Sequence, residues 1–267
     1  MASKRMDAGR GGGRPDPVKQ ARGRQSRRGF YLALLAVGIA GVAAILWATQ
    51  RDPNAGVVTL PAAPAVSASA PGYVRGDSAA PVEIVEYADF ECPGCGQFAT
   101  VTEPDIMKRL VETGQARYRV YLFPVNGSHR NSPAASLAAA CADDQGKFWE
   151  MHDRIFAGQN EWKTPMPGYP GGTNDPKSVL RGYAQAIGLD LATWDQCYDG
   201  RKHVDRIAAH AQAAERAQVR STPTFIIGNR KVEAVQPFDV IKALVDSARA
   251  AAGVPPAAPP AAAPAGQ

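Results

Sequence analysis

A segment of 21 residues without a charged side chain, residues 30–50 (FYLALLAVGIAGVAAILWATQ), divides this chain into parts that must fold separately. About 20 apolar residues in a helix span a hydrocarbon core of ~30 Å. Aromatic residues, which favour the membrane interface, stand near its two ends: Phe30, Tyr31 and Trp47. The segment is therefore predicted to be a transmembrane anchor.

The residues before this segment are strongly basic. Residues 1–29 contain nine Lys or Arg residues and two Asp residues, a net charge of +7, whereas the whole chain carries +5. The remainder is thus slightly acidic, which argues against a nucleic-acid-binding surface on the folded part. The positive-inside rule places residues 1–29 in the cytoplasm and exports the rest to the periplasm or cell exterior, where disulfides persist.

A cleaved signal peptide is the alternative to an anchor. Its apolar region would usually be shorter, and the nearest A-x-A site, Ala68-Ser69-Ala70, lies roughly twenty residues too far downstream. Beyond the anchor, residues 51–71 are rich in Ala and Pro and are predicted to be an extended linker. Residues 72–251 are predicted to form one domain, and residues 252–267 are predicted to be a disordered Pro/Ala-rich tail.

The pattern within the domain indicates an α/β architecture. VEIVEY (82–87) and ARYRVYLF (116–123) are predicted strands, and the spacing between them predicts a helix over 95–112 that Pro104 should kink. A series of helices follows, for two of which Ser132 and Asp175 are predicted N-caps. The strands TFIIG and KVEAV and a helix over 237–251 close the domain. The order predicts an α/β core with a helical insertion.

The sequence FECPGCGQF places Cys92 and Cys95 three positions apart. A structural zinc site needs four ligands, and the chain has no second CxxC. Its four histidines include no i, i+4 pair; His203 and His210 are seven apart and are expected on a solvated helix face. No metal or cofactor is therefore predicted. A disulfide across so short a loop also contributes little to stability, because it removes little entropy from the unfolded chain.

Redox chemistry fits the position of this pair better. Cys92 is expected at the start of a helix, where the helix dipole and free N–H groups stabilise a thiolate, and its sulfur is expected to be exposed. Cys95 lies one turn further, where it can resolve a mixed disulfide.

Three stretches carry a family resemblance: VEIVEYADFECPGC, AAACADDQGKFWEMHDRIF and VRSTPTFIIGN. Together they resemble the DsbA-like branch of the thioredoxin superfamily, in the same order over residues 75–250. The resemblance implies a thioredoxin fold with a helical insertion and a catalytic Cys92–Cys95 pair. His152, inside FWEMHD, belongs to this helical signature and is expected to be a packing residue.

The resemblance also assigns roles to other residues. Thr222-Pro223 corresponds to a cis-proline that faces the thiols and pairs with substrate, although a trans proline opening a strand is the alternative. Glu86 matches a buried acid that exchanges a proton with Cys95, although a strand-surface carboxylate is the alternative; Glu83 is expected to face solvent. Strong oxidases of this family often have His between the cysteines, where this chain has Pro93-Gly94. This redox-tuning dipeptide should stabilise the Cys92 thiolate less.

The remaining cysteines, Cys141 and Cys197, lie on predicted helices of the insertion. Some members of the family carry a second disulfide in this region, and the resemblance implies that these two cysteines are bonded to each other. Two buried free thiols are the alternative.

The function implied is that of a membrane-tethered dithiol oxidase that introduces disulfides into exported cysteine-containing proteins. An integral-membrane, quinone-linked partner of the DsbB or VKOR type would re-oxidise it. A reductase or isomerase with the same Cys92–Cys95 pair is one alternative. A non-enzymatic copper-handling module is another, although such modules typically use CxxxC spacing.

The anchor predicts a membrane topology. Because positive charge precedes residue 30, we expect the N-terminus to stay inside and the anchor to stay uncleaved. Protease treatment of intact cells or spheroplasts should remove the C-terminal domain and protect the basic tail. Release of a soluble mature protein that lacks residues 1–50 would contradict this.

Overall fold

The computed structural model describes residues 27–49, 58–59, 70–124, 129–168 and 170–254. The chain divides into two compact units, Met1–Asp52 and Pro53–Gln267. In the first unit the structure describes one helix, α1 (Arg27–Thr49). Within the described ranges, no helix meets the combined length and hydropathy requirement for crossing a membrane. Most of the predicted basic tail, linker and C-terminal tail lies outside the described residues.

The second unit is built on a mixed six-stranded sheet. Its strands are β1 (Val58–Thr59), β2 (Tyr73–Arg75), β3 (Glu83–Ala88), β4 (Arg117–Leu122), β5 (Thr224–Ile227) and β6 (Arg230–Glu233). They are arranged in the order β1-β6-β5-β3-β4-β2. Strands β3 and β4 are parallel, and every other neighbouring pair is antiparallel.

The central strand β3 has a different environment on each face, because successive side chains of a strand point to opposite sides. Ile84 and Ala88 belong to the main core, whereas Tyr87 belongs to a smaller core that includes residues of helix α9 (Val204–Arg216). Glu86 has the same parity as Ile84 and therefore lies on the main-core side. Glu83 has the other parity.

Glu83 is not simply exposed to solvent, as the sequence predicted. Its carboxylate forms ion pairs with Arg117 at 2.6 Å and Arg119 at 2.8 Å, which leave its side chain only partly exposed. Both arginines are on the adjacent parallel strand, and Arg117 is the direct Cα partner of Glu83. The cross-strand pairing explains the difference from the prediction.

The helix that follows β3 changes its turn type along its length. It begins as α2 (Pro93–Gln97), continues through a π-helical segment (Phe98–Thr102) and α3 (Glu103–Ile106), and ends in a second π-helical segment (Met107–Val111). π turns add a residue and so shift the helical phase. Val101, which α-helical spacing through Phe98, Ile106 and Leu110 would place on the apolar face, is 68% exposed for this reason.

The helical insertion between β4 and β5 is confirmed. Its helices are α4 (Ser132–Asp143), α5 (Phe148–Ala157), α6 (Gln159–Trp162), α7 (Pro176–Ala186), α8 (Leu191–Asp199) and α9 (Val204–Arg216). Asp175 caps α7 by accepting the N–H of Ser178. Ser132 does not cap α4: Asn131 takes the N-cap position, and the Ser132 hydroxyl donates to Asp89 instead.

The burial of His210 differs from the prediction of a solvated helix face. This residue is fully buried, receives the backbone N–H of Leu122 at Nδ1, and lies between α9 and the sheet. Burial lowers its pKa to about 4, so it packs as a neutral ring. Seven-residue spacing with His203 marked a shared helical face, but the sequence did not reveal that the sheet covers this position.

The sequence pattern also did not predict the two short strands at the edges of the sheet. β1 and β2 have two and three residues, too few to show an alternating pattern, and β1 lies within the predicted linker. The C-terminal hairpin and helix were predicted, and the observed elements are β5, β6 and α10 (Phe238–Ala251), with Pro237 as the N-cap of α10.

A disulfide links α4 to α8 through Cys141 and Cys197, which are separated by 56 positions. On the chain-entropy model, closing a loop of this length contributes ~4 kcal/mol to the free energy of unfolding. We expect the double variant Cys141→Ser/Cys197→Ser to lose stability of that order in urea titrations, with Cys92 and Cys95 unchanged. Equal stability of variant and parent, or alkylation of both cysteines without reductant, would contradict this.

Candidate active site

Cys92 stands where strand β3 gives way to a helix. It is the N-cap residue of α2, with extended backbone angles (φ −67°, ψ 122°), and Pro93 occupies the first helical position. Proline is favoured there because its missing N–H is not needed for a helical hydrogen bond. The backbone therefore presents the Cys92 sulfur beyond the end of the helix.

The segment before β5 faces this sulfur. The Thr222-Pro223 peptide bond is cis, and Cys92 Sγ lies 3.2 Å from the carbonyl oxygen of Thr222, to which the thiol form donates. Gly94 permits this close approach. A β-carbon at Gly94 would lie 3.3 Å from both Pro223 Cδ and Val235 Cγ2, a tighter contact than most side chains tolerate.

Cys95 lies one helical turn further along and has no exposed surface. Its sulfur accepts the backbone N–H of Asp89 at 3.5 Å. Burial raises the pKa of Cys95 well above its ordinary value, and its hydrogen bond to Cys92 and the charge of Glu86 raise it further. Cys95 therefore holds its proton in the reduced pair.

The pKa of the Cys92 thiol is shifted in the opposite direction. The hydrogen bond from the Cys95 thiol is the largest of the effects that lower its pKa to about 5. The Thr222 side chain and the backbone N–H groups of Cys95 and Gly94 also lower this pKa, and burial opposes them. The sulfur is less open than the sequence suggested, since Cys92 is 9% exposed. It is nevertheless the more accessible of the two.

Glu86 lies beneath this pair on the main-core side of β3. It is 2% exposed, and the hydroxyl of Tyr118 donates a short hydrogen bond to Glu86 Oε2. Burial raises the Glu86 pKa to about 7; the Tyr118 hydrogen bond opposes this effect and the Cys92 charge adds to it. A carboxyl group that titrates near neutrality beside a buried thiol is suited to proton exchange.

Sequence reasoning missed a second polar group, centred on Asp89. This fully buried carboxylate accepts the Glu91 N–H at 2.8 Å and the Ser132 hydroxyl at 2.5 Å, and it contacts His129 Nδ1 at 2.8 Å. The contact with Asp89 raises the pKa of His129. Asp89 also contacts both cysteines through its backbone, because its carbonyl accepts the Cys92 N–H at 3.1 Å.

Glu91 and Gln159 attach the insertion to this segment. Glu91 accepts the backbone N–H groups of Asn131 and Thr164, and the Gln159 amide donates to the carbonyls of Phe90 and Cys92 at 2.8 and 2.9 Å. The only feature of the sequence that could have indicated this polar group is the pair of acidic residues that flank Phe90, just before the CxxC. Nothing in the sequence indicated that the distant residues His129 and Gln159 would contact this segment.

The family comparison agrees with this geometry. A family model described as thioredoxin matches residues 68–247. The chain belongs to the thioredoxin family.

Solved structures with the same fold include three DsbA-type proteins. BdbD from Bacillus subtilis, in its oxidised form, is 21% identical, has a TM-score of 0.58, and aligns over 71% of this chain and 97% of its own. Wolbachia pipientis α-DsbA1 has 20% identity and a TM-score of 0.58, covering 68% and 92% of the two chains. Chlamydia trachomatis DsbA has 20% identity and a TM-score of 0.57, covering 67% and 91%. This thioredoxin-family chain shares their fold.

Sequence relatives include much longer proteins. The chain is 37% identical over 184 residues to Na(+)/H(+) antiporter NhaA 3 of Salinispora tropica, covering 69% of this chain and 26% of that protein. It is 35% identical over 165 residues to Na(+)/H(+) antiporter NhaA 1 of Mycobacterium sp. (strain KMS), covering 60% and 24%. This chain thus spans about a quarter of the length of these relatives.

The raised Glu86 pKa predicts a pH dependence of stability. Below pH 4.5 the carboxyl is neutral in both states; between pH 4.5 and about 7 only the unfolded state loses the proton, so stability falls as pH rises. With Cys92 and Cys95 held in the disulfide form, so that Cys92 does not titrate, we expect Glu86→Gln to remove this decline, which is on the order of 3 kcal/mol, in urea titrations at pH 5 and pH 8.

Glu83→Gln is the matched control. The pKa of Glu83 is lowered by its hydrogen bonds to Arg119 and Arg117 despite opposing burial, so its contribution is lost only as pH falls below 4.5. The control variant should therefore keep the decline between pH 5 and pH 8. If Glu86→Gln also kept it, Glu86 would not be the titrating group.

Proposed function

We propose that this chain is an extracytoplasmic thiol-disulfide oxidoreductase, and specifically a dithiol oxidase that introduces disulfides into exported proteins. The single observation that carries the proposal is the asymmetry of the pair: the Cys92 pKa is lowered to about 5, and the Cys95 pKa is raised above its ordinary value. One sulfur is prepared as a nucleophile and leaving group, while the other stays protonated and buried.

The proposed direction of electron flow is supported by the same asymmetry. Interactions that stabilise the Cys92 thiolate exist only in the reduced protein, so they favour the dithiol over the disulfide. The disulfide then accepts electrons more readily from a substrate. One unit of thiol pKa corresponds to ~1.4 kcal/mol, or ~30 mV for this two-electron couple.

The reaction has two exchange steps. A substrate thiolate attacks Cys92 Sγ in the disulfide; the bond to Cys95 breaks, and Cys95 leaves and takes up a proton. The second substrate thiolate then attacks the substrate sulfur of the mixed disulfide and releases Cys92 as a thiolate. The substrate loses two electrons, which remain in the Cys92–Cys95 dithiol. Glu86 is the nearby group that exchanges the proton with Cys95.

The surroundings of the pair fit a substrate strand. The carbonyl of Thr222 points toward Cys92 Sγ, and Pro223 lies beside Gly94. An extended substrate segment that pairs with the backbone of Thr222 would bring its cysteine to the Cys92 sulfur. Pro93 and Gly94 have no side-chain donors, so the stabilisation of the Cys92 thiolate comes from backbone N–H groups, including that of Gly94, and from the Cys95 and Thr222 side chains.

The sequence supports the remaining parts of the proposal. The charge-free segment 30–50 and its basic flank support a single-pass anchor with the domain outside the cytoplasm. An oxidase must also lose the electrons it collects, and a quinone-linked membrane protein of the DsbB or VKOR type would accept them. A reductase or isomerase would use the same pair in the opposite direction. No contact in the described residues favours the copper-handling alternative.

Trapping experiments test the assignment of roles. Cys95→Ser should accumulate mixed disulfides with exported proteins, because the Cys92 thiolate can still attack a disulfide of such a protein, while Cys95 is no longer present to expel the bound partner. Cys92→Ser is the matched control and should trap almost none, because the remaining thiol is fully buried. Non-reducing gels of both variants, with and without reductant, measure the difference. Equal trapping by the two variants would contradict the proposal.

A further inference from the structure

Three metal-ligating side chains meet outside the dithiol site. Glu103 lies on α3, and His152 and Asp153 are neighbours on α5. One potential ligand atom from each residue lies within 4.8 Å of the other two. Ligand atoms around a tetrahedral zinc ion are ~3.4 Å apart, so small side-chain rotations would bring these three atoms to coordination distance.

Two of these residues have buried polar atoms that lack a partner within the described chain. Glu103 Oε2 and His152 Nε2 are each without a hydrogen bond, although the residues are 3% and 0% exposed. His152 Nδ1 contacts Asp153 Oδ1 at 2.9 Å. This separation is close to the ~3.4 Å between two ligands of one zinc ion, so Nδ1 is the imidazole atom that could share an ion with Asp153. Buried polar atoms are rarely left unpaired, and the unpartnered Glu103 Oε2 beside this contact indicates a ligand.

A cavity gives solvent access to the cluster. Its volume is about 360 Å³, and Glu103 and Asp153 line it together with Arg75 and Phe156. The Asp153 side chain is 57% exposed. An ion entering from solvent would therefore meet Asp153 first and the buried Glu103 carboxylate next.

The charges around Glu103 also favour a cation. Burial raises the Glu103 pKa well above its ordinary value; the charges of Glu86 and Asp153 raise it further, and Arg75 opposes them. A bound cation would offset the repulsion between these neighbouring carboxylates. Arg75, 3.8 Å from Asp153, is the competing positive charge.

We propose that Glu103, His152 and Asp153 form a binding site for a divalent transition-metal ion, with Zn²⁺ as the best match. One imidazole nitrogen with carboxylate oxygens is a donor set that zinc accepts, whereas Ca²⁺ and Mg²⁺ prefer oxygen ligands alone.

A second group of potential ligands provides a control. Asp144, Cys197 and His203 are also close together. The Cys197 sulfur is bonded to Cys141, and Asp144 Oδ2 already contacts Lys202 and His203 at 3.0 Å. The carboxylate of Asp144 therefore already has partners, and it should not contribute to metal binding.

Zinc titration calorimetry on the full chain tests the proposal. The Cys92–Cys95 pair is first oxidised, so that its thiolates do not bind the metal. We expect one Zn²⁺ per chain, with affinity reduced about tenfold or more by Glu103→Gln and by Asp153→Asn. Arg75→Gln should tighten binding because it removes the competing charge. Asp144→Asn should leave the affinity unchanged.

Other outcomes would overturn the site. These are the absence of stoichiometric binding, unchanged binding in both Glu103→Gln and Asp153→Asn, or loss of binding in Asp144→Asn. Asp153 is partly exposed, so Asp153→Asn decides the matter if Glu103→Gln fails to fold, as judged by circular dichroism. The titration is independent of disulfide exchange activity, so it separates this proposal from the proposed oxidase function.

Discussion

The hydrogen bond between the two thiols of the CxxC is the interaction on which the proposed chemistry depends. Cys95 donates to Cys92, and this lowers the pKa of Cys92 more than any other contact does. It can do so only because Cys95 keeps its proton, and Cys95 keeps its proton because burial and the nearby Glu86 charge disfavour its thiolate. A dipeptide without a histidine thus still has a stabilised thiolate, because the stabilisation comes from the second cysteine and the backbone.

The sheet determines where these groups lie. The alternation of side chains along β3 directs Glu86 to the main core and Glu83 to the opposite side, where arginines of β4 hold it. The loop after β3 then passes Asp89, whose backbone contacts both cysteines. The insertion fixes this loop from outside through Gln159. Sheet, loop and insertion therefore act together on one pair of sulfurs, which explains why the site lies where all three meet.

Local patterns made part of this structure predictable. The strand before Cys92, the helix after it and the insertion follow from periodicity, and the family resemblance located Glu86 and Thr222-Pro223. Features that depend on distant contacts were not predictable: His129 on Asp89, the burial of His210 under the sheet, and the exposure of Val101 after a π turn. Strands of two or three residues leave no periodic pattern, so both outer edges of the sheet were missed.

The equilibrium potential of the Cys92–Cys95 pair tests the central claim most directly. It is measured by equilibrating the full chain with defined ratios of reduced and oxidised glutathione and then trapping the thiols with acid. If thiolate stabilisation makes the pair an oxidant, the potential should lie above about −200 mV, in the range of known dithiol oxidases and isomerases. A potential near −270 mV, typical of thioredoxin, would contradict the oxidase account and indicate a reductase.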